Sequence, residues 1–193
     1  MTVGACGANV TLMTRLGGLL AALAMIASAT GSAAAAKTST AIDAAPAEKW
    51  QAAQTHLAFP LYRPTKTLGL RLNHFRRECA NKRLWATYGT YHGPQATGHG
   101  FLVIEAWPNL CSNPNYSRPL GHYTVNGRRG TLGVYCVMGR TCTAADGKRN
   151  GFTFFVTLRS SSGKRTAVFL DSAHLTKRHF LDIIKSLRSL PHR

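Results

Sequence analysis

Three histidines and one glutamate are the residues of this sequence whose types suit acid-base or metal chemistry. His92 and His99 flank a Gly-rich turn, and Glu105 and His122 follow in neighbouring predicted strands. A histidine serves as a general base or metal ligand only where geometry brings its partners together. Histidines at strand ends are commonly solvated turn residues, and we expect Glu105 to occupy an exposed strand position that alternates with buried Val103. We therefore assign no catalytic residue and no metal ligand, and we predict no cofactor.

The sequence lacks the short motifs that identify common enzyme sites. It contains no Gly-x-Ser-x-Gly nucleophile elbow, no phosphate-binding loop and no zinc-protease helix motif. Catalysis consequently has no positive support. A small secreted, nuclease-like hydrolase acting on an anionic polymer stays open as the alternative function, with Glu105, His99 and His122 as its candidate residues.

Basic residues give the sequence its strongest chemical bias. Residues 37–193 hold all but one of the 24 Lys and Arg residues and all seven Asp and Glu residues, a net charge of +16. This field attracts nucleic acid, anionic lipid headgroups or acidic envelope polymers, although high charge also simply keeps a protein soluble. The candidates for a polyanion-binding face are Arg76, Arg77, Lys82, Arg83, Arg128, Arg129, Lys148, Arg149, Lys164 and Arg165. Many of them fall at predicted turn tips, so one face forms only if those tips converge, with Trp85, Tyr88 and Tyr91 as possible stacking partners.

Four cysteines follow residue 36, namely Cys79, Cys111, Cys136 and Cys142. An even number after an export signal predicts two disulfides, with three possible pairings. A hairpin loop at 138–140 would place Cys136 opposite Cys142, which leaves Cys79 to pair with Cys111. A zinc site is the rival interpretation, but the sequence has no Cys-x-x-Cys pair.

The first 36 residues are typical of a secretory signal peptide. One basic residue, Arg15, precedes the uncharged stretch 16–36, which ends in four alanines before Lys37. Cleavage there predicts a secreted or periplasmic protein. The alternative is an uncleaved membrane anchor at 16–36, because a stretch of this length can span a bilayer.

The pattern of apolar residues predicts an α+β fold. We divide the chain after the signal into a spacer with a short helix, 37–57, and a single domain, 58–193. Apolar stretches alternate with turns from residue 84 onward, as in an antiparallel meander. The predicted strands are 84–91, 100–107, 122–125, 131–137, 151–159 and 165–171.

A final helix completes the predicted domain. Ser172 or Thr176 can cap it, and its apolar stripe continues to about Ser189, where Pro191 ends it. We expect a single antiparallel sheet of about six strands with this amphipathic helix packed on one face, because that arrangement buries both apolar surfaces.

Three segments carry a resemblance to a known group of proteins. They are Phe59-Pro60-Leu61-Tyr62-Arg63-Pro64-Thr65, residues 123–130 and residues 175–190. In this order they resemble exported bacterial domains of unknown function related to the lipoprotein-carrier and sigma-regulatory lipid-sensing sheets. The resemblance implies a curved antiparallel sheet with a helix against its concave side, and a role in binding within the cell envelope. No functional residue is transferred from it.

These observations favour an exported binding or accessory protein without enzymatic activity. Its partner would be an anionic envelope polymer, lipid headgroups or nucleic acid, bound through the basic surface, or a ligand in the groove between sheet and helix. No dedicated small-molecule substrate is indicated.

Overall fold

The computed structural model describes residues 40–94, 98–107, 117–136 and 141–191. The predicted signal peptide, Cys111 and the predicted hairpin loop 138–140 lie outside these ranges. Residues 37–193 form one compact unit. Within the described residues, no helix is both long and apolar enough to cross a membrane.

Antiparallel strands dominate the described fold. The helices are α1 (Thr40–Gln54), α2 (Gly147–Asn150) and α3 (Lys177–Lys185). The strands are β1 (Tyr62–Pro64), β2 (Leu72–Glu78), β3 (Arg83–Gly89), β4 (Gly100–Ala106), β5 (Ser117–Val125), β6 (Arg128–Tyr135), β7 (Phe152–Arg159), β8 (Arg165–Ala173) and β9 (Leu187–Ser189). The main sheet has the order β2-β3-β4-β8-β7-β6-β5, and β1 pairs with β9 separately. The α+β class is therefore confirmed, but the main sheet has seven strands instead of about six.

The additional strand of the main sheet, β2, escaped the sequence pattern because its two apolar residues, Leu72 and Phe75, do not follow the alternation of a strand. Its residues alternate poorly, and Asn73, His74, Arg76 and Arg77 are all exposed. It lies at the edge of the sheet and pairs only with β3. Charged side chains are common on edge strands, where they discourage pairing with another chain. Tertiary pairing, rather than an apolar alternation, thus defines this strand.

The core lies on one face of the sheet. In β7, Phe152, Phe154, Val156 and Leu158 are all buried, as the period of two predicts. The ring of Phe180 on α3 stacks on Phe152 with centroids 6.1 Å apart. The predicted packing of the final helix on the apolar face of the sheet is therefore confirmed.

The final helix is shorter than its apolar stripe. Thr176 caps it by accepting a hydrogen bond from His179 N at 3.2 Å, one of the two caps that the sequence offers. The helix ends at Lys185, and Leu187 then enters β9, which pairs with β1. Leu187 is fully buried in the strand. An apolar residue at this position is therefore compatible with either a helix or a strand.

Helix α1 also packs on the apolar face of the sheet. It runs from Thr40 to Gln54 and includes Pro46, so it occupies most of the segment 37–57 in which the sequence predicted a short helix. Trp50 is fully buried and donates its indole N–H to Tyr88 Oη at 2.9 Å. Gln54 holds the following segment by donating to Phe59 O at 3.0 Å and accepting from Leu61 N at 2.7 Å.

Glu105 is the polar anchor of this core. It shares the Val103 face of β4, since residues two apart point the same way, and it is 0 % exposed. The expectation of an exposed Glu105 is therefore wrong. Both carboxylate oxygens accept from Tyr62 N, at 2.8 and 3.1 Å, which fixes β1 against the sheet. Burial raises the pKa of Glu105 well above its ordinary value, although the bond from Tyr62 opposes that rise.

We predict that Glu105→Ala lowers the free energy of unfolding by about 1–3 kcal/mol, because it leaves the buried Tyr62 N–H without an acceptor. Glu105→Gln keeps a carbonyl oxygen for that bond and should stay within about 1 kcal/mol of the unsubstituted protein. Urea unfolding measures both, with Glu48→Ala, an exposed carboxylate on α1, as the control. An equal loss in the Ala and Gln variants would contradict the role of the hydrogen bond.

Candidate anion-binding edge and open-face groove

The antiparallel register gathers basic residues at one end of the sheet. Arg159 at the end of β7 lies directly opposite Arg165 at the start of β8. On the other side of β7, the pairing of Thr131 with Phe155 carries the start of β6 to the same end. We define the basic edge as the exposed side chains of Arg128, Arg129, Arg159, Lys164 and Arg165. They occupy three neighbouring strand ends, which span about 10 Å at the usual strand spacing.

A tight turn places two of these residues. Asn126 and Gly127 connect β5 to β6 with φ values of 48° and 69°, as a two-residue type I′ hairpin requires. Arg128 and Arg129 follow at once as the first residues of β6, so they belong to the strand rather than to the wider turn 126–130 that the sequence predicted. The turn therefore places the backbone of both arginines at this end of the sheet.

Three arginines of the basic edge line one hollow. Arg128, Arg159 and Arg165, together with Thr157 and Leu158, line an open hollow of about 200 Å³. None of the five side chains of the basic edge forms an ion pair with a described carboxylate. Arg165 packs over the Trp107 ring, with its guanidinium carbon 5.8 Å from the ring centroid. Three guanidinium groups beside one threonine hydroxyl suit a phosphate, sulfate or carboxylate group.

The same end of the sheet continues into β2 and β3, where the charges are partly neutralised. Glu78 pairs with Arg76 at 2.5 Å and also with Arg83. Both guanidinium groups lie over the Trp85 ring, 5.3 and 5.7 Å from its centroid. Arg77 and Lys82 remain exposed at this end. Eight of the ten predicted polyanion-binding residues therefore lie at this end of the sheet.

The other two candidates are placed elsewhere. Lys148 and Arg149 belong to α2, which precedes the start of β7 at Phe152 and so lies at the opposite end of the sheet. Both are exposed, and Arg149 pairs with Asp146 at 3.4 Å. The segment 143–150 forms a short 3₁₀ turn followed by α2, whereas the sequence predicted no helix between the strands 131–137 and 151–159. These two residues do not share a surface with the basic edge.

The histidines and Glu105 are not brought together. The Glu105 carboxylate faces the core, whereas His99 and His122 are exposed. His122 lies on β5, four strand spacings from β4, or about 19 Å. Among the described residues, no group of three His, Cys, Asp or Glu side chains is arranged to hold a metal ion.

One predicted disulfide is present. Cys136 and Cys142 are joined with a Cα–Cα distance of 5.8 Å. Cys142 is not in a strand, since β6 ends at Tyr135 and pairs with β7, so the two cysteines do not face each other across a ladder as predicted. The predicted partner of Cys79, Cys111, lies outside the described residues, and that pairing stays a prediction.

A second feature is an open groove on the sheet face opposite the helices. Its volume is about 560 Å³, and Leu102, Ile104 and Phe169 form an apolar floor. Trp85 and Tyr91 line it, whereas Tyr88 lies in the core stacked on Phe101. Of the three aromatic residues considered for stacking, two therefore reach this open face.

Asp171 is the carboxylate of this groove. It is 6 % exposed, and it accepts hydrogen bonds from Tyr91 Oη and from Ser172 N, both at 2.7 Å. Burial raises the pKa of Asp171 to about 7, although both hydrogen bonds oppose the rise. Burial and the neighbouring carboxylate also raise the pKa of Tyr91. The carboxylate thus changes protonation near neutral pH.

Sequence reasoning missed two residues of these sites. Arg159 immediately precedes the predicted loop 160–164, and its place opposite Arg165 in a short hairpin could have identified it. Asp171 interrupts the apolar strand Ala167–Ala173, which is a signal for a buried polar group. The tyrosine that pairs with it is 80 residues away, so its partner could not be inferred.

Comparisons with protein-family models, curated proteins and solved structures find no match for this chain. Its site is accordingly interpreted from geometry and charge.

We predict that Asp171→Asn removes a pH dependence of stability. The folded carboxyl keeps its proton up to about pH 7, whereas the unfolded carboxyl loses it near pH 4, so the unsubstituted protein loses stability as pH rises between these values. One such group contributes a slope of at most about 1.4 kcal/mol per pH unit. Urea unfolding from pH 4 to 8 should show a flatter profile for Asp171→Asn, and superimposable profiles would refute the assignment.

Proposed function

We propose that this protein is an exported, non-enzymatic binding protein that holds an anionic polymer of the cell envelope at its basic edge. The observation that carries the proposal is the convergence of Arg128, Arg159 and Arg165 on one hollow, without a described carboxylate to neutralise them.

The arrangement is electrostatically unfavourable without a ligand. Arg159 and Arg165 lie directly opposite each other, and like charges at such positions destabilise a sheet. Arg128 brings a third positive charge to the same hollow. A bound anion removes this repulsion and gains charge-assisted hydrogen bonds from the guanidinium groups.

The extent of the charged surface favours a polymer over a single small anion. Arg77 and Lys82 continue the positive charge along the same end of the sheet toward β2. From β2 to β6 the strand ends cover five spacings, or about 24 Å. A linear polyanion can contact several of these side chains at once, and each contact releases counterions into solution.

Export is part of the proposal and has two supports. The first 36 residues have the charge and hydropathy pattern of a secretory signal. The Cys136–Cys142 disulfide is compatible with an oxidising compartment.

We predict that Arg159→Gln combined with Arg165→Gln weakens polyanion binding and its salt dependence. If both residues contact phosphates of a single strand, the slope of log K against log salt falls by about 1.4. Fluorescence anisotropy with labelled oligothymidylate, and flotation with phosphatidylglycerol vesicles, both across a salt series, measure the change and compare the ligand classes.

The matched control is Lys148→Gln combined with Arg149→Gln, which removes the same charge from the opposite end of the sheet. We expect this variant to bind like the unsubstituted protein. Equal weakening by the two double variants would show that net charge alone attracts the polymer, and no binding by the unsubstituted protein would reject the proposed function.

A further inference from the structure

The open-face groove has the size and lining of a small-molecule site. Its volume of about 560 Å³ falls within the range of about 300–1,000 Å³ that ligand pockets occupy. The floor residues Leu102, Ile104 and Phe169 are only 3 % to 6 % exposed, so they lie deep, at the bottom of a recess. The groove lies on the face opposite α1 and α3 and takes no part in the basic edge.

Asp171 places one incompletely satisfied carboxylate beside this apolar floor. A carboxylate has about four lone-pair sites, and Asp171 uses two of them for Tyr91 Oη and Ser172 N. Among the described residues, no Lys, Arg or His side chain forms an ion pair with it. A buried carboxylate is expensive to ionise without a cation, so a cation supplied by a ligand would be held strongly there.

The positive groups of the groove are distant from Asp171 or already engaged. Arg76 is paired with Glu78 and stacked on Trp85. It lies on β2, three strand spacings from β8, or about 14 Å from the Asp171 strand. The centre of the groove is therefore acidic, although the protein as a whole is basic.

Aromatic rings add to this preference. Tyr91, Tyr135 and Phe169 line the groove with Asp171. The faces of aromatic rings attract ammonium groups through their quadrupoles, and pockets that combine such rings with a carboxylate suit organic cations.

We propose that the groove binds a small organic ammonium ion, with its ammonium group paired to the Asp171 carboxylate and its apolar body on Leu102, Ile104 and Phe169. Binding requires the ionised carboxylate, so affinity rises with pH through its titration. The other titratable or charged side chains that line the groove are His74 and Arg76 from β2, Tyr91 and His92 after β3, and Tyr135 from β6. A positive charge on His74 or His92 would repel the ammonium group, so these two side chains are the alternative source of a pH dependence.

Isothermal titration calorimetry with three probes of one shape tests the proposal. These are phenethylamine, 2-phenylethanol and phenylacetate, which share the aromatic body and differ in the head group. At pH 8 we expect the amine to bind at least tenfold more tightly than the alcohol, and the carboxylate to bind more weakly than either. Between pH 8 and pH 6 the preference for amine over alcohol should fall by at least threefold.

Three variants separate the charge from the fold. Asp171→Asn should bind the amine no better than the alcohol, whereas Asp182→Asn, which removes a half-buried carboxylate paired with Lys66 on the opposite face, should leave the preference unchanged. Tyr91→Phe removes a hydrogen bond but keeps the charge, so it should still prefer the amine. In the His74→Gln, His92→Gln double variant, the preference for amine over alcohol should still depend on pH. That result would assign the pH dependence to Asp171.

The proposal is overturned if phenylacetate binds as tightly as the amine, if amine and alcohol bind equally at pH 8, or if folded Asp171→Asn keeps the amine preference. If Asp171→Asn fails to fold, the His74→Gln, His92→Gln protein provides the test. An amine preference that does not change between pH 6 and pH 8 in this variant would exclude the Asp171 carboxylate as the binding group. None of these outcomes depends on polyanion binding at the basic edge.

Discussion

The antiparallel register of the main sheet is the constraint on which both sites depend. In an antiparallel sheet, the start of one strand lies beside the end of its neighbour, so turn residues far apart in the chain meet at one end. The pairing of Arg159 with Arg165 and the two-residue turn before Arg128 place three guanidinium groups around one hollow. The same register sets Asp171 between Leu102 and Thr153, at the centre of the open face. A slip of one residue would turn Asp171 into the helix-packed core and scatter both sites.

One face of the sheet packs the core, and we propose that the other face binds a ligand. On the helix face, Trp50, Gln54 and Glu105 satisfy buried polar groups, and together they attach α1 and the segment 59–64 to the sheet. On the other face, no described helix covers the floor of the groove, and Asp171 lies there with hydrogen bonds but no cation. Two buried carboxylates thus have different environments: Glu105 anchors backbone, and Asp171 borders an open recess.

The fold class and most strands could be predicted from the sequence, since the alternation in β7 and the Asn126-Gly127 turn are local signals. The edge strand β2 could not, because its two apolar residues do not alternate as in a strand and its pairing with β3 is what orders it. The last helix was predicted too long because Leu187 is buried equally well in a strand. Glu105 was predicted on the exposed face although residues two apart in a strand point the same way, so it shares the buried face of Val103. Asp171 and Tyr91 form a pair only through tertiary structure, and no local pattern links them.

The most direct test of the central claim, that the basic edge is the polyanion interface, is a titration of the ¹⁵N-labelled protein with oligothymidylate followed by amide chemical shifts. The structure predicts that shifts concentrate in residues 126–129 and 159–165 and extend toward Arg77 and Lys82, while the amides of Lys148 and Arg149 stay in place. Shifts of equal size at Lys148 and Arg149, or shifts spread evenly over all exposed basic residues, would contradict the claim and reduce the charge to a general property of the surface.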